Sequence, residues 1–220
     1  MHVLGIDASL GTGAACWLHD DRLVFHRAVG LSRGHPAALP GIVATVQAGA
    51  GLPLERLDLI VVGIGPGSFT GLRSAIAFAR GLGAGIGCPV EGVTQAEAMA
   101  AAIGPALAGR ALWVALEGRG DSVLLERAGV AARVPLDALP HPGGPVAVAG
   151  SAAIPVAARL AAAGHDVKLL SLPAPPIEGV ARAGLLRHRA GGAFRPVEPL
   201  YAEPAAALPP RGGLRPAPAA

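Results

Sequence analysis

Aromatic side chains are scarce in this sequence: four Phe, two Trp and one Tyr make 3% of 220 residues. Its core has to be filled by Ala, Val, Leu and Ile, which suits close approach of backbone to backbone. Lysine is nearly absent. Lys168 is the single lysine among 18 basic residues, and the net charge is only +3. So small an excess gives little long-range pull on nucleic acid. The nearest thing to a basic cluster is Arg182, Arg187, Arg189 and Arg195. Only two cysteines occur, Cys16 and Cys88, in no metal or redox spacing. That excludes a disulfide framework and points to a reducing compartment, the cytoplasm. Charged residues are few as well, 15% against 52% hydrophobic, which excludes an intrinsically disordered chain.

Long apolar runs are missing too. Asp7 interrupts the first, and no basic region precedes it, so no signal peptide is expected. Positions 34 to 54 lack charge, but Pro36, Pro40 and Pro53 argue against a membrane span. Leu39, Ile42, Val43 and Val46 instead mark one face of a short helix.

What is abundant is glycine and proline, 32 and 21 residues. Their placement divides the chain into elements. Strands are expected at His2 to Asp7, Ala14 to Leu18 and Leu23 to His26, then a helix near 39–50. Leu59 to Gly63 reads as a strand buried on both faces. A glycine-rich turn opens a helix from Ser68 to Leu82, followed by a strand at Pro89 to Val93 and a helix from Gln95 to Ala102. The order then repeats. Strands at Ala111 to Leu116, Val123 to Glu126 and Val130 to Val134 precede a buried strand at Val146 to Ala149. A helix at Ala152 to Ala163, a strand at Val167 to Leu170 and a helix at Glu178 to Arg189 follow, the last expected to close the second half.

Two β-β-β-α-β-α lobes, each with an acidic residue ending its first strand (Asp7 and Glu117), suggest the actin-like, ribonuclease-H-like α/β architecture. The expected division is a first lobe over 1–104, a second over 105–203 and a disordered Pro/Ala-rich tail over 204–220. In that plan two glycine-bearing hairpin turns face a cleft that can hold phosphates. Asp7, Ser9 and Thr12 are the candidates for the first turn, and Glu117 to Ser122 form the second.

The most specific segment is Gly65-Pro66-Gly67-Ser68-Phe69-Thr70-Gly71-Leu72-Arg73, between the buried strand and its helix. Ser68 or Thr70 can cap that helix. A helix start after a glycine turn can also take an anion, although no Gly-Lys-Ser/Thr follows as in a P-loop. Around the helix, Thr70, Arg73, Ser74, Ala77 and Arg80 occupy about 120° of arc. Phe69, Leu72, Ala75, Ile76, Phe78, Ala79 and Leu82 fill the rest. That apolar arc is wider than one sheet needs, so it packs on a second helix of the same chain or on another protein.

This string, with Val3 to Ser9 and Pro89 to Val93, resembles the bacterial TsaB (YeaZ) family of tRNA threonylcarbamoyladenosine biosynthesis proteins. The resemblance covers most of 1–100 and thins beyond. It implies a non-catalytic scaffold that pairs with a TsaD transferase, and works with a TsaE ATPase, in modifying the adenosine beside the anticodon of tRNAs reading ANN codons. It implies a partner contact on Phe69, Leu72, Ala75, Ile76 and Ala79, a homodimer when alone, and tRNA met only through the complex. No metal and no cofactor are expected on the isolated chain, with ATP or ADP entering at the level of the complex. Catalytic relatives carry two histidines four apart on the helix after Val93, whereas Thr94 to Met99 holds none. The second hairpin, Glu117 to Val123, and the ending Tyr201-Ala202-Glu203 depart from the family's pattern. Two other readings remain. One is an actin-like ATPase or phosphotransferase using Asp7, Thr12, Glu117 and Asp121. The other is an RNA-binding module using Arg182, Arg187 and Arg189.

Overall fold

The computed structural model describes residues 1–30 and 36–202. The expected tail at 204–220, with Glu203, lies outside the described residues. Three antiparallel strands begin the chain: β1 (His2–Asp7), β2 (Thr12–His19) and β3 (Arg22–Gly30). Helix α1 (Leu39–Ala50) leads to β4 (Leu59–Gly65), α2 (Phe69–Ile86), β5 (Val90–Thr94) and α3 (Gln95–Ile103). The second half gives β6 (Ala111–Glu117), β7 (Ser122–Arg127), β8 (Val130–Pro135), β9 (Val146–Ala149), α4 (Ala153–Ala162), β10 (Val167–Leu169) and α5 (Ile177–Arg189).

The repeat of element order is a repeat of topology. The first sheet runs β3-β2-β1-β4-β5 and the second β8-β7-β6-β9-β10, so corresponding strands hold corresponding places. In each, an antiparallel meander is extended by two parallel strands. β4 is buried at every position, as its continuous apolar run predicts. On one face Leu4, Ile60 and Val62 meet α1 and α2; on the other Val3, Leu59 and Val61 meet α5. Two tryptophans anchor the aromatic-poor core, Trp17 in the first lobe and Trp113 in the second.

The last helix departs from expectation. α5 does not close the second half; it crosses back and packs on β1, β2 and β4 of the first sheet and on α3. Its face of Ile177, Val180, Ala181 and Leu185 covers, together with Ala98 of α3, the sheet face opposite α1 and α2. The approach is close because Gly5 has no side chain: a Cβ there would sit 3.0 Å from that of Ala181. α4 covers one face of the second sheet. α3 lies in the seam, where Met99 packs with Val114, Leu116 and Ala149 of the second sheet.

Candidate functional site: the cleft between the lobes

The two hairpin turns face one another across an open cleft of about 1010 Å³. Ser9, Leu10 and Gly11 line it from the first lobe, with Gly67, Ser68 and Phe69 at the start of α2. Glu117, Gly118 and Arg119 line it from the second, and Tyr201 and Ala202 from the end of the described chain.

At the first turn the structure brings Asp7 and Ser9 together and leaves Thr12 out. The Ser9 hydroxyl lies 2.9 Å from both carboxylate oxygens of Asp7 and accepts a hydrogen bond from Gln95 Nε2 at 2.6 Å. The Asp7 carboxylate rests against Gly63, where any Cβ would collide with it. Burial pushes its pKa up to about 6, against the opposing effect of its bonds from Ser9. Thr12 is exposed at the start of β2 and is not part of the cleft lining. Of the second-turn candidates, Glu117 lines the cleft and Asp121 does not. Among the described residues no group of three or more His, Cys, Asp or Glu could hold a metal ion.

The entry to α2 is built by internal bonds. The Gly65–Pro66 peptide is cis. Of the two proposed caps, Ser68 is the one used: its hydroxyl accepts the Gly71 N–H at 3.3 Å. The Ser68 N–H donates to the Ser9 carbonyl at 2.7 Å, and the Leu72 N–H to the Ser68 carbonyl at 2.9 Å. Gly71 has a further role: a Cβ there would run into the Ala8 carbonyl oxygen, so its small size lets α2 lie against the first turn.

The assignment of the partner face needs correction. Leu72, Ala75, Ile76 and Ala79 are buried in this chain, and the last three belong to the same cluster as Leu4, Ile6 and α1. The wide apolar arc is spent on the sheet and on neighbouring elements of its own lobe. Of the five residues only Phe69 is exposed. The outward face carries Thr70, Arg73, Ala77, Arg80 and Ala84.

The arginines proposed for RNA are committed to carboxylates of the same chain. Arg182 bonds Asp21 and Arg189 bonds Asp20, each at 2.9 Å. Arg187 bridges the buried Glu91 and Glu97, and Arg195 joins Glu97 at 2.9 Å. These pairs fasten α5 and the segment after it to the first lobe.

Three residues take places in the fold that the sequence did not assign them. Gln95 occupies the helix position after the Val-Thr strand end, and its Oε1 is buried without a hydrogen-bond partner. Glu126, buried on β7, accepts the Ala96 N–H at 2.9 Å and leaves its Oε1 unpartnered. A charged residue inside Val-Leu-Leu-Glu was the available signal. Tyr201 reaches back to Arg73, a contact no local pattern reveals.

Two equivalent five-stranded sheets with a cleft between them define the actin-like, ribonuclease-H-like class of α/β proteins. YeaZ from Pseudomonas aeruginosa has the same fold, with a TM-score of 0.69 over 91% of this chain and 99% of that one, at 23% identity. A family model described as TsaD, tRNA N6-adenosine threonylcarbamoyltransferase, matches residues 30–135. An uncharacterised Mycobacterium tuberculosis protein is 37% identical over 99 residues, 44% of this chain and 47% of that protein. The tRNA threonylcarbamoyladenosine biosynthesis protein TsaB of Haemophilus influenzae is 37% identical over 70 residues, 32% of this chain and 30% of that protein. The chain thus spans about half the length, or less, of these curated relatives. The fold is that of the YeaZ neighbour, and the sequence likeness runs to TsaB and TsaD-type proteins over less than half of this chain.

Proposed function

We propose that the chain serves tRNA threonylcarbamoyladenosine formation as a non-catalytic scaffold paired with a TsaD-type transferase. The likeness to TsaB proteins carries this reading. The first turn supports it: Asp7, the acidic residue that ends the first strand, is not part of the cleft lining and is held by Ser9, which is itself held by Gln95. The N–H groups of Ser68, Gly71 and Leu72, at and just after the start of α2, are engaged within the chain. Among the described residues no helix is long and apolar enough to cross a membrane, and a cytoplasmic site suits the proposed substrate. A TsaE-type ATPase, ATP or ADP at the level of the complex, tRNA met through the complex and self-pairing in the absence of the partner complete the proposal.

Co-expression with the TsaD-type subunit of the same organism tests it. A stable heteromeric complex that restores the modified adenosine in a strain depleted of its own TsaB is the expected result. Failure to form any complex overturns it. The competing reading, an ATPase or phosphotransferase, rests on the open cleft. It requires Mg-ATP hydrolysis by the isolated chain that Asp7→Ala abolishes.

A further inference from the structure

We infer that Arg73, clasped between Phe69 and Tyr201, is a recognition point for a carboxylate on the surface of a partner protein; this rests on the scaffold reading above. The clasp joins residues 128 positions apart. Arg73 Nε donates to the Tyr201 hydroxyl at 2.8 Å, and its guanidinium carbon lies 3.8 Å from the centre of the Phe69 ring. The two rings stack with centroids 5.4 Å apart. Tyr201 is itself held, because the N–H of Leu200 donates to the Ile64 carbonyl at 2.7 Å.

An exposed arginine ordinarily loses rotamer freedom when it binds. Here one face of the guanidinium is covered and Nε is committed, so much of that loss has already been incurred in folding. The two terminal nitrogens remain, and among the described residues no acceptor bonds to them. Two parallel N–H groups in a fixed plane match the two oxygens of a carboxylate. Helix α2 contains no Asp or Glu that could serve from within.

A phosphate would share that chemistry, but a phosphate site draws on free N–H groups at a helix start. Of the five from Ser68 to Leu72, those of Ser68, Gly71 and Leu72 are used internally, so only Phe69 and Thr70 have one left to offer. What surrounds Arg73 is an exposed helix face: Phe69 beside it, Thr70 and Ala77 one turn away on either side. Arginine with aromatic neighbours is the composition that dominates protein–protein binding energy. The occupant is therefore a protein surface presenting Asp or Glu, here that of the TsaD-type subunit.

Tyr201 is a positioning residue that acts through Arg73, which gives the test two arms. The dissociation constant of the full chain for its cognate TsaD-type subunit is measured by calorimetry over a range of salt, with unfolding midpoints read on the same samples. Arg73→Gln is expected to weaken binding about tenfold and to flatten its salt dependence. Arg73→Lys keeps the salt dependence without restoring the affinity, because a point charge replaces the fork. Tyr201→Phe weakens binding about threefold with the salt dependence intact, a fraction of the loss for a whole charge pair. Midpoints stay at the wild-type value in all three. Wild-type affinity in the three variants overturns the clasp and leaves the scaffold reading standing. Weakening that only follows a common fall in midpoint also overturns it. A wild-type chain that does not bind at all overturns both.

Discussion

The carboxylate of Glu126, on the second sheet, accepts the N–H of Ala96, the second residue of a helix that belongs to the first lobe, at 2.9 Å. One buried acid thus joins the lobes at the N-terminal end of α3, where the helix dipole favours negative charge. Burial nevertheless dominates and raises its pKa to about 7 from 4.5. The folded chain holds this proton more tightly than the unfolded chain does. The stability it contributes is full below the unfolded value and is lost as pH rises through the folded one. Glu126→Gln, which keeps the acceptor and cannot ionise, is expected to remove that loss. The wild type should fall relative to the variant by up to about 1.4 kcal/mol per pH unit across this window. Urea unfolding at a series of pH values checks it, and parallel profiles for the two proteins would refute it.

Asp7 has the same sign, with a pKa raised to about 6. Asp7→Asn preserves an acceptor for the Ser9 hydroxyl and removes the buried charge. The variant is expected to match or exceed wild-type stability above that pH and to keep its partner binding. A variant that unfolds at neutral pH would show that the charge itself is needed.

Gly71→Ala tests the contact between α2 and the first turn. The added methyl meets the Ala8 carbonyl oxygen, which is backbone and cannot rotate away. A loss of about 1–3 kcal/mol is expected, the range for overpacking, although alanine favours helix elsewhere. Denaturant unfolding reads it directly. Stability equal to wild type would mean that α2 is free to shift.

The two faces of α2 predict opposite outcomes. Leu72→Ala removes a fully buried side chain and is expected to cost about 2–5 kcal/mol of stability. Ala77→Ser, on the exposed face, should stay within about 0.5 kcal/mol of wild type. If partner binding is then measured at temperatures where both remain folded, a bulky Ala77→Trp should weaken it and Leu72→Ala should not.

Removing Arg187 strands the buried Glu91 without its charge partner. Arg187→Ala is expected to cost on the order of 3 kcal/mol, the loss typical of an orphaned buried charge. Arg182→Ala, from an exposed pair with Asp21, should cost under about 1 kcal/mol. Equal losses would show that the network is not load-sharing in this way. An RNA-binding role would instead make both variants lose tRNA affinity with stability unchanged.

The order of elements could be read along the chain because it rests on local signals. Alternation and turn residues marked the meanders, and a continuous apolar run marked β4, buried on both faces. Helix α2 begins within one residue of its expected start, set by the cap at Ser68. Its outward face was read correctly as the polar arc, but what covers its apolar arc was not. Periodicity says that a face is buried, not by whose atoms.

By itself, then, the sequence determined two repeated lobes and the strand-to-helix turn at Gly65 to Arg73. Each follows from neighbours in sequence and from backbone geometry that glycine and proline restrict locally. The tertiary structure alone decided that α5 returns to the first lobe, that the arginines are paired with Asp20, Asp21, Glu91 and Glu97, and that Tyr201 fixes Arg73. Those are contacts between distant segments, and they are settled by which surfaces remain to be buried once the sheets have formed.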